Sequence, residues 1–308
     1  MLRWIPGLCC AMLFAIASGC GGGDDSPGNV VQVAQNDSRF TVLVEAVQAA
    51  GLTDTLTASS AVTVFAPTNQ AFSALLSELG LTKEQLLANK SLLATVLKYH
   101  VVSGQVQSSA IPLGKSINPV GGGFFKIDKA GNGFVITDGR NRTSNIIQAD
   151  IAASNGVIHA IDKVLLPADK NIVQTAIANP DFSILVEAVT AAGLVDTLSA
   201  PGPYAVFAPT NAAFASLLNE LGVTKDQLLA NTQLLNKLLT YHVLPELVLK
   251  ASVPFNMPIK TVEGETFSVG TTLAITDQRG RKSNIVATDT LCSNGVIHVL
   301  DKVILPAP

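Results

Sequence analysis

The chain has 308 residues and a formal charge of −3, which becomes −4 once Arg3 is removed with the leader, since 19 basic residues then face 23 acidic ones. So slight an acidic balance gives no basic footprint for nucleic acid and no global steering field. Beyond the leader no apolar run reaches the roughly 18 residues needed to cross a bilayer as a helix.

In chain order, residues 1–19 read as a secretion signal: Arg3 is a short positive n-region, Leu8 to Ile16 is apolar but short, and Ala17-Ser18-Gly19 is a small-residue cleavage site. Ala17-Ser18-Gly19-Cys20 resembles the lipobox of bacterial lipoproteins. That resemblance implies that the Cys20 thiol is acylated and becomes the new N-terminus, and Gly21 in the next position implies sorting to the outer membrane. Leucine is commoner where Ala17 stands, and an ordinary signal peptide with an incidental cysteine is the alternative. Residues 20–29 form a glycine-rich polar tether that cannot bury enough apolar area to order itself. Of four cysteines, Cys9 and Cys10 leave with the leader and Cys20 carries lipid, so Cys292 alone remains and no internal disulfide can form. Cys292 aligns with Ala153, which fits a small buried filler better than a nucleophile.

After the tether the sequence repeats itself at a spacing of 142 residues: Phe40–His100 aligns without a gap on Phe182–His242 with 39 identities in 61 positions. A period of this length suits a unit that buries its own core, so two domains are expected, at 30–167 and 168–308. Each opens helically. Phe40, Leu43, Val44 and Val47, matched by Phe182, Leu185, Val186 and Val189, form one helical stripe, with Asp37 or Asn179 placed to cap it. A short β-rich run ends at Pro67 or Pro209. The stripe Phe72, Leu75, Leu76 and Leu79 predicts a second helix ended by Gly80, and Thr82-x-x-Gln85 has capping-box spacing for a third. Leu92, Leu93, Val96 and Leu97 add a further buried helical face leading into Tyr99-His100.

From about residue 100 short alternating runs broken by Gly, Pro and Asn predict antiparallel strands and hairpins. The first copy is three residues longer here, and Gly121-Gly-Gly123 reads as a hairpin tip, because no helix bearing Lys-Ser/Thr follows it as phosphate binding would require. The last strands start at the Asn-Gly pairs Asn155-Gly156 and Asn294-Gly295, which suit a tight turn with positive φ. Helices first and strands later describe an α+β domain. The short connector between Pro167 and Ile172 predicts a preferred angle between the copies.

Thr63-Val-Phe-Ala-Pro-Thr-Asn-Gln-Ala-Phe72 and Asn155-Gly-Val-Ile-His-Ala-Ile-Asp-Lys-Val-Leu-Leu-Pro167, their second copies at 205–214 and 294–306, and the intervening Tyr99-His100 and Tyr241-His242 pairs resemble the signature blocks of the fasciclin-domain family. The resemblance covers about 30–306. It implies two tandem fasciclin-like domains, each a wedge of about seven mainly antiparallel strands flanked by helices, and a role in adhesion or extracellular protein and matrix contact, with no catalytic site. In animal members the Tyr-His region is linked to receptor contact, which makes Tyr99, His100, Tyr241 and His242 candidates.

The residues suggest a second candidate. Arg140 and Arg142, matched by Arg279 and Arg281 with Lys282, place closely spaced cations on a turn of an acidic protein, where they can grip carboxylates or sulfates of a polysaccharide. The four histidines lack the spacing of a metal site, and no cofactor is implied. No Gly-x-Ser-x-Gly elbow, His-Glu-x-x-His or Cys-His partnership is present. Asp162 and Asp301, each followed by Lys, fit an ion pair or backbone bond better than acid/base work. The expectation is a non-catalytic adhesion or binding module, lipid-anchored to the bacterial outer membrane on its periplasmic or outward face, with a surface protein or polysaccharide as partner. A periplasmic hydrolase or ligand-processing protein and a structural envelope spacer are the alternatives.

Overall fold

The computed structural model describes residues 27–58 and 61–308. The secretion signal at 1–19, Cys20 and most of the tether lie outside the described residues.

In the first domain α1 (Val30–Gln35), α2 (Thr41–Ala49) and α3 (Thr53–Ala58) precede β1 (Val62–Pro67), followed by α4 (Asn69–Leu79), α5 (Lys83–Ala88) and α6 (Lys90–Tyr99). The strands β2 (Val101–Ser103), β3 (Ser116–Ile117), β4 (Phe125–Ala130), β5 (Gly133–Thr137), β6 (Thr143–Ala153) and β7 (Gly156–Ile161) then complete it. Local chemistry sets most boundaries. Thr82 and Gln85 form the reciprocal capping box of α5, Thr68 caps α4, and Gly80 ends α4 at φ 64°. Asp37 caps a 3-10 turn at Ser38–Phe40, not the helix itself, and α2 begins only at Thr41. Six residues carry too little periodicity to reveal α1, yet Asn29 and Gln32 give it a full capping box.

The seven strands form one sheet in the order β2-β1-β7-β6-β5-β4-β3. Five pairings are antiparallel, and β1–β7 is parallel. Both strands of that parallel pair are buried along their whole length, because each face of the sheet is covered. Val62, Val64 and Ala66 of β1 point into the core under the helices, whereas Phe65 points into a second core with Tyr99, Phe125 and Ile136. There the rings of Phe65 and Phe125 meet edge to face at 5.3 Å. Two register shifts bend β6, so that its first part pairs with β5 and the rest with β7. Gly121-Gly-Gly123 lies in the turn joining the antiparallel β3 and β4.

The glycine after Asn155 has a different cause from the one expected. A Cβ on Gly156 would stand 2.0 Å from the Val62 carbonyl oxygen, so the close parallel neighbour, not the turn, requires glycine.

The second domain repeats this with α7 (Ile172–Ile177), α8 (Ser183–Ala191), α9 (Val195–Ser199), β8 (Tyr204–Pro209), α10 (Asn211–Leu221), α11 (Lys225–Ala230) and α12 (Thr232–Tyr241). Its strands are β9 (Val243–Leu244), β10 (Pro258–Lys260), β11 (Thr266–Val269), β12 (Ala274–Thr276), β13 (Lys282–Cys292) and β14 (Gly295–Leu300). The sheet order is the same, and β8–β14 is the parallel pair. The three-residue difference falls at one hairpin tip: β4 and β5 pair out to Ala130–Gly133, while β11 and β12 stop at Val269–Ile275.

The domains are clamped together. Lys126 Nζ of β4 lies 2.8 Å from Asp289 Oδ2 of β13, with side chains only 13% and 4% exposed. Asn141 spans to the same strand twice: its Nδ2 donates to the Leu291 carbonyl at 3.0 Å, and its Oδ1 accepts from Leu291 N at 2.6 Å. In the connector Arg140 faces Asp169 at 3.4 Å, and Ser293 N donates to the Lys170 carbonyl.

Candidate functional site

The β5–β6 hairpin tip is built around one buried carboxylate. Asp138 Oδ1 accepts from the backbone N–H groups of Arg140 and Arg142, both at 2.9 Å, and Oδ2 accepts from Leu166 N at 3.0 Å. The Arg142 guanidinium completes the knot: Nε donates to Asp138 Oδ2, Nη2 to the Val164 carbonyl, and Nη1 to Glu78 of α4 at 2.9 Å. Asp277 repeats the device, accepting from Arg279 N, Arg281 N and Leu305 N, and Arg281 Nη2 meets Glu220 at 2.6 Å. Arg281 Nη1 is buried with no partner among the described residues.

The five cations therefore divide. Arg142 and Arg281 are consumed by carboxylates of their own domains. Arg140, Arg279 and Lys282 are exposed, with Arg140 beside Asp169 and Arg279 Nε donating to the Pro306 carbonyl. The two hairpin tips are not one site: the first docks on β13 through Asn141, while the second carries Gly280 at that position and packs near the chain's end.

Tyr99, His100, Tyr241 and His242 lie in the interior, each no more than 2% exposed. His100 Nδ1–H donates to the Val96 carbonyl at 2.7 Å, and Nε2 accepts from Leu165 N at 2.8 Å, which fixes one neutral tautomer. His242 does the same with Leu238 and Ile304. Burial lowers both to about 4, and the Arg142 charge adds to the effect at His100. Burial likewise pushes the Tyr99 and Tyr241 phenols far up; their hydroxyls donate to the carbonyls of Phe124 and Thr266. His159 sits apart from His100, receiving Asp150 N on Nδ1 and donating from Nε2 to the Val106 carbonyl. Cys292 is buried, and its thiol is pushed up to about 11 by desolvation. Asp162 receives Asn145 N, Asn145 Nδ2 and the Ser144 hydroxyl, a backbone staple of the kind its position suggested.

Sequence reasoning missed Lys126, Asn141 and Asp289. One signal was available: the second copy carries Ser268 and Gly280 where the first has Lys126 and Asn141, differences that mark a surface used by one copy only.

Two domains of one topology, each a nearly closed seven-stranded mixed sheet flanked by helices, define a tandem α+β module whose aromatic-histidine motifs are structural. The Fasciclin domain family model matches residues 38–167 and 180–306, and the chain belongs to the fasciclin-domain family. It is 31% identical over 246 residues to Transforming growth factor-beta-induced protein ig-h3 of Sus scrofa, a match covering 79% of this chain and 34% of that protein. The chain thus spans about a third of that relative's length. It is 44% identical over 138 residues to Protein sll1483 of Synechocystis sp., covering 44% of this chain and 73% of that protein. A solved FAS1 domain pair from the insect cell adhesion molecule Fasciclin I aligns over 87% of this chain and 97% of that one, at 18% identity and a TM-score of 0.44.

Proposed function

We propose that the protein is a non-catalytic adhesion module, exported and held at the outer membrane through an acyl group on Cys20, that binds acidic surface polysaccharide through its hairpin tips. Membership of the fasciclin-domain family carries the adhesive reading. Within it, the division of the cations narrows the contact set to Arg140, Arg279 and Lys282, because these are exposed while Arg142 and Arg281 brace the tips. Tyr99, His100, Tyr241 and His242 are buried and stay outside this contact set; His100 and His242 brace the tips instead, by accepting Leu165 N and Ile304 N next to the Leu166 and Leu305 N–H groups that Asp138 and Asp277 hold. Two tips on one clamped body, further concentrated by a membrane tether, raise avidity without new contacts. No helix among the described residues is long and apolar enough to cross a membrane, which leaves the anchoring role to Cys20 in this reading.

The test replaces Arg140, Arg279 and Lys282 by Ser together and measures binding to sulfated and carboxylated glycans at low and moderate salt. Loss of a salt-sensitive interaction is expected, about three- to tenfold per contact. Binding unchanged by the triple substitution rejects the tips. Incorporation of labelled palmitate, abolished by Cys20→Ser, checks the anchor.

A further inference from the structure

In the first domain α1, α2 and α3 do not close fully on the sheet. Between them and β1 lies a cavity of about 530 Å³, within the range of small-ligand sites. Its wall is aliphatic, from Val31, Leu43, Val47, Val64 and Ile158 among others, and its mouth passes Val120, which is 53% exposed. One charged side chain lines it: Lys98 of α6, exposed and without an ion-pair partner among the described residues.

The second domain supplies an internal comparison. The equivalent cavity measures about 300 Å³ and has no cation in its wall. Two substitutions distinguish the matching positions. Tyr204 stands where the first domain has Val62, and its half-buried ring packs against the second domain's core. Thr240 stands where the first domain has Lys98, with its hydroxyl turned back to the Asn236 carbonyl of its own helix. Glu246, at the position of Gly104 on the other rim, would further repel an anion.

We infer that the first-domain cavity is a binding site for one alkyl chain with an anionic head, such as a long-chain fatty acid, the chain lying against the aliphatic wall and the carboxylate meeting Lys98. The wall is mostly aliphatic, with Thr55, His100 and Ser103 the polar exceptions beside Lys98, so transfer from water drives binding, and the rim cation selects a charged head over a neutral one. The second domain lacks the site for want of both features.

Palmitate and the neutral hexadecanol are the probes, titrated into the full chain carrying Cys20→Ser. One palmitate per chain is expected, with hexadecanol binding more weakly. Val62→Tyr, the residue the second domain carries, should lower affinity for both at least tenfold, with thermal melting to confirm that the variant folds. Lys98→Thr, likewise copied from the second domain and at an exposed position, should weaken palmitate about three- to tenfold and leave hexadecanol unchanged; this contrast decides alone should Val62→Tyr not fold. Absence of saturable palmitate binding, binding indifferent to a folded Val62→Tyr variant, or equal loss of both probes in Lys98→Thr overturns the inference. Comparing the lipid-modified chain with Cys20→Ser separates two sources of the alkyl chain. Equal palmitate uptake assigns the site to a free amphiphile, uptake confined to Cys20→Ser assigns it to the chain's own acyl group, and both support the alkyl site.

Discussion

His100 and His242 each hold a backbone carbonyl with one ring nitrogen and a backbone N–H with the other, so both nitrogens are committed only while the ring is neutral. Protonation would turn an acceptor into a donor facing Leu165 N or Ile304 N, at a buried position. The folded domain therefore resists the proton that the unfolded chain accepts near pH 6.5, and burial depresses both histidines to about 4. His298 is lowered by burial as well. With the folded value below the unfolded one, the stabilisation from His100 and His242 is complete above about pH 6.5 and drains away as pH falls towards 4. Denaturant titrations between pH 7.5 and 4.5 should show each domain losing up to about 1.4 kcal/mol per pH unit for every such histidine; a flat profile across that window would contradict the buried neutral state. The matched positions of these histidines were plain in the sequence, as was the cationic turn. Their roles were not, because one partner of Arg142 and one of His100 lie 64 and 65 residues away, and nothing local announces Glu78 or Leu165 N.

At the scale of elements, α2, α4, α5 and α6 were legible because stripes and caps are local, and the strand-rich second half because its alternation is, whereas the six-residue α1 and α3 were not. The parallel pairing of β1 with β7 was not, since it joins segments separated by most of the domain. Two residues show what that pairing demands. Gly156→Ala would drive a methyl into the Val62 carbonyl, and with backbone on both sides neither strand can yield. A loss of at least about 3 kcal/mol is expected, seen as a large fall in the first domain's melting temperature. Asn69 ties α2 to α4: Oδ1 accepts from Val42 N, and Nδ2 donates to the Ser38 carbonyl and the Thr41 hydroxyl. Asn69→Ala should cost about 1–3 kcal/mol by leaving these groups unpaired. Asn69→Asp should fare little better, because a carboxylate oxygen would face the Ser38 carbonyl. Equal stability of Asn69→Asp and the parent in denaturant melts would show that the amide's donors contribute nothing. The family's Phe-Ala-Pro-Thr-Asn block is in this light a joint that fixes how the helices sit on the sheet.

For the whole molecule, the duplication is visible in the sequence but the relation of the copies is not, because it depends on residues that the copies do not share. Lys126 and Asn141 both belong to the first domain and both reach β13. Asp289 is the repeat of Asp150, and each carboxylate receives a backbone N–H from a segment far off in sequence, Lys250 N at Asp289 and Ser108 N at Asp150. At Asp289 the second oxygen accepts Lys126, and despite burial the carboxylates of Asp289 and Asp128 hold that ammonium above the usual lysine value. Removing Lys126 leaves the buried Asp289 carboxylate without an opposite charge among the described residues, which is the costly way to break such a pair. Lys126→Ser with Asn141→Gly installs the residues that the second domain tolerates at the same places, and Gly suits the left-handed φ of 60° at Asn141. Each domain should keep its secondary structure by circular dichroism, while small-angle scattering should show a larger radius of gyration and a broadened distance distribution as the clamp opens. If the scattering curve is unchanged, the connector with its Arg140–Asp169 and Ser293–Lys170 contacts and the packing of Phe124 on the second domain hold the angle, and the two hairpin tips do not owe their spacing to the buried lysine–aspartate contact.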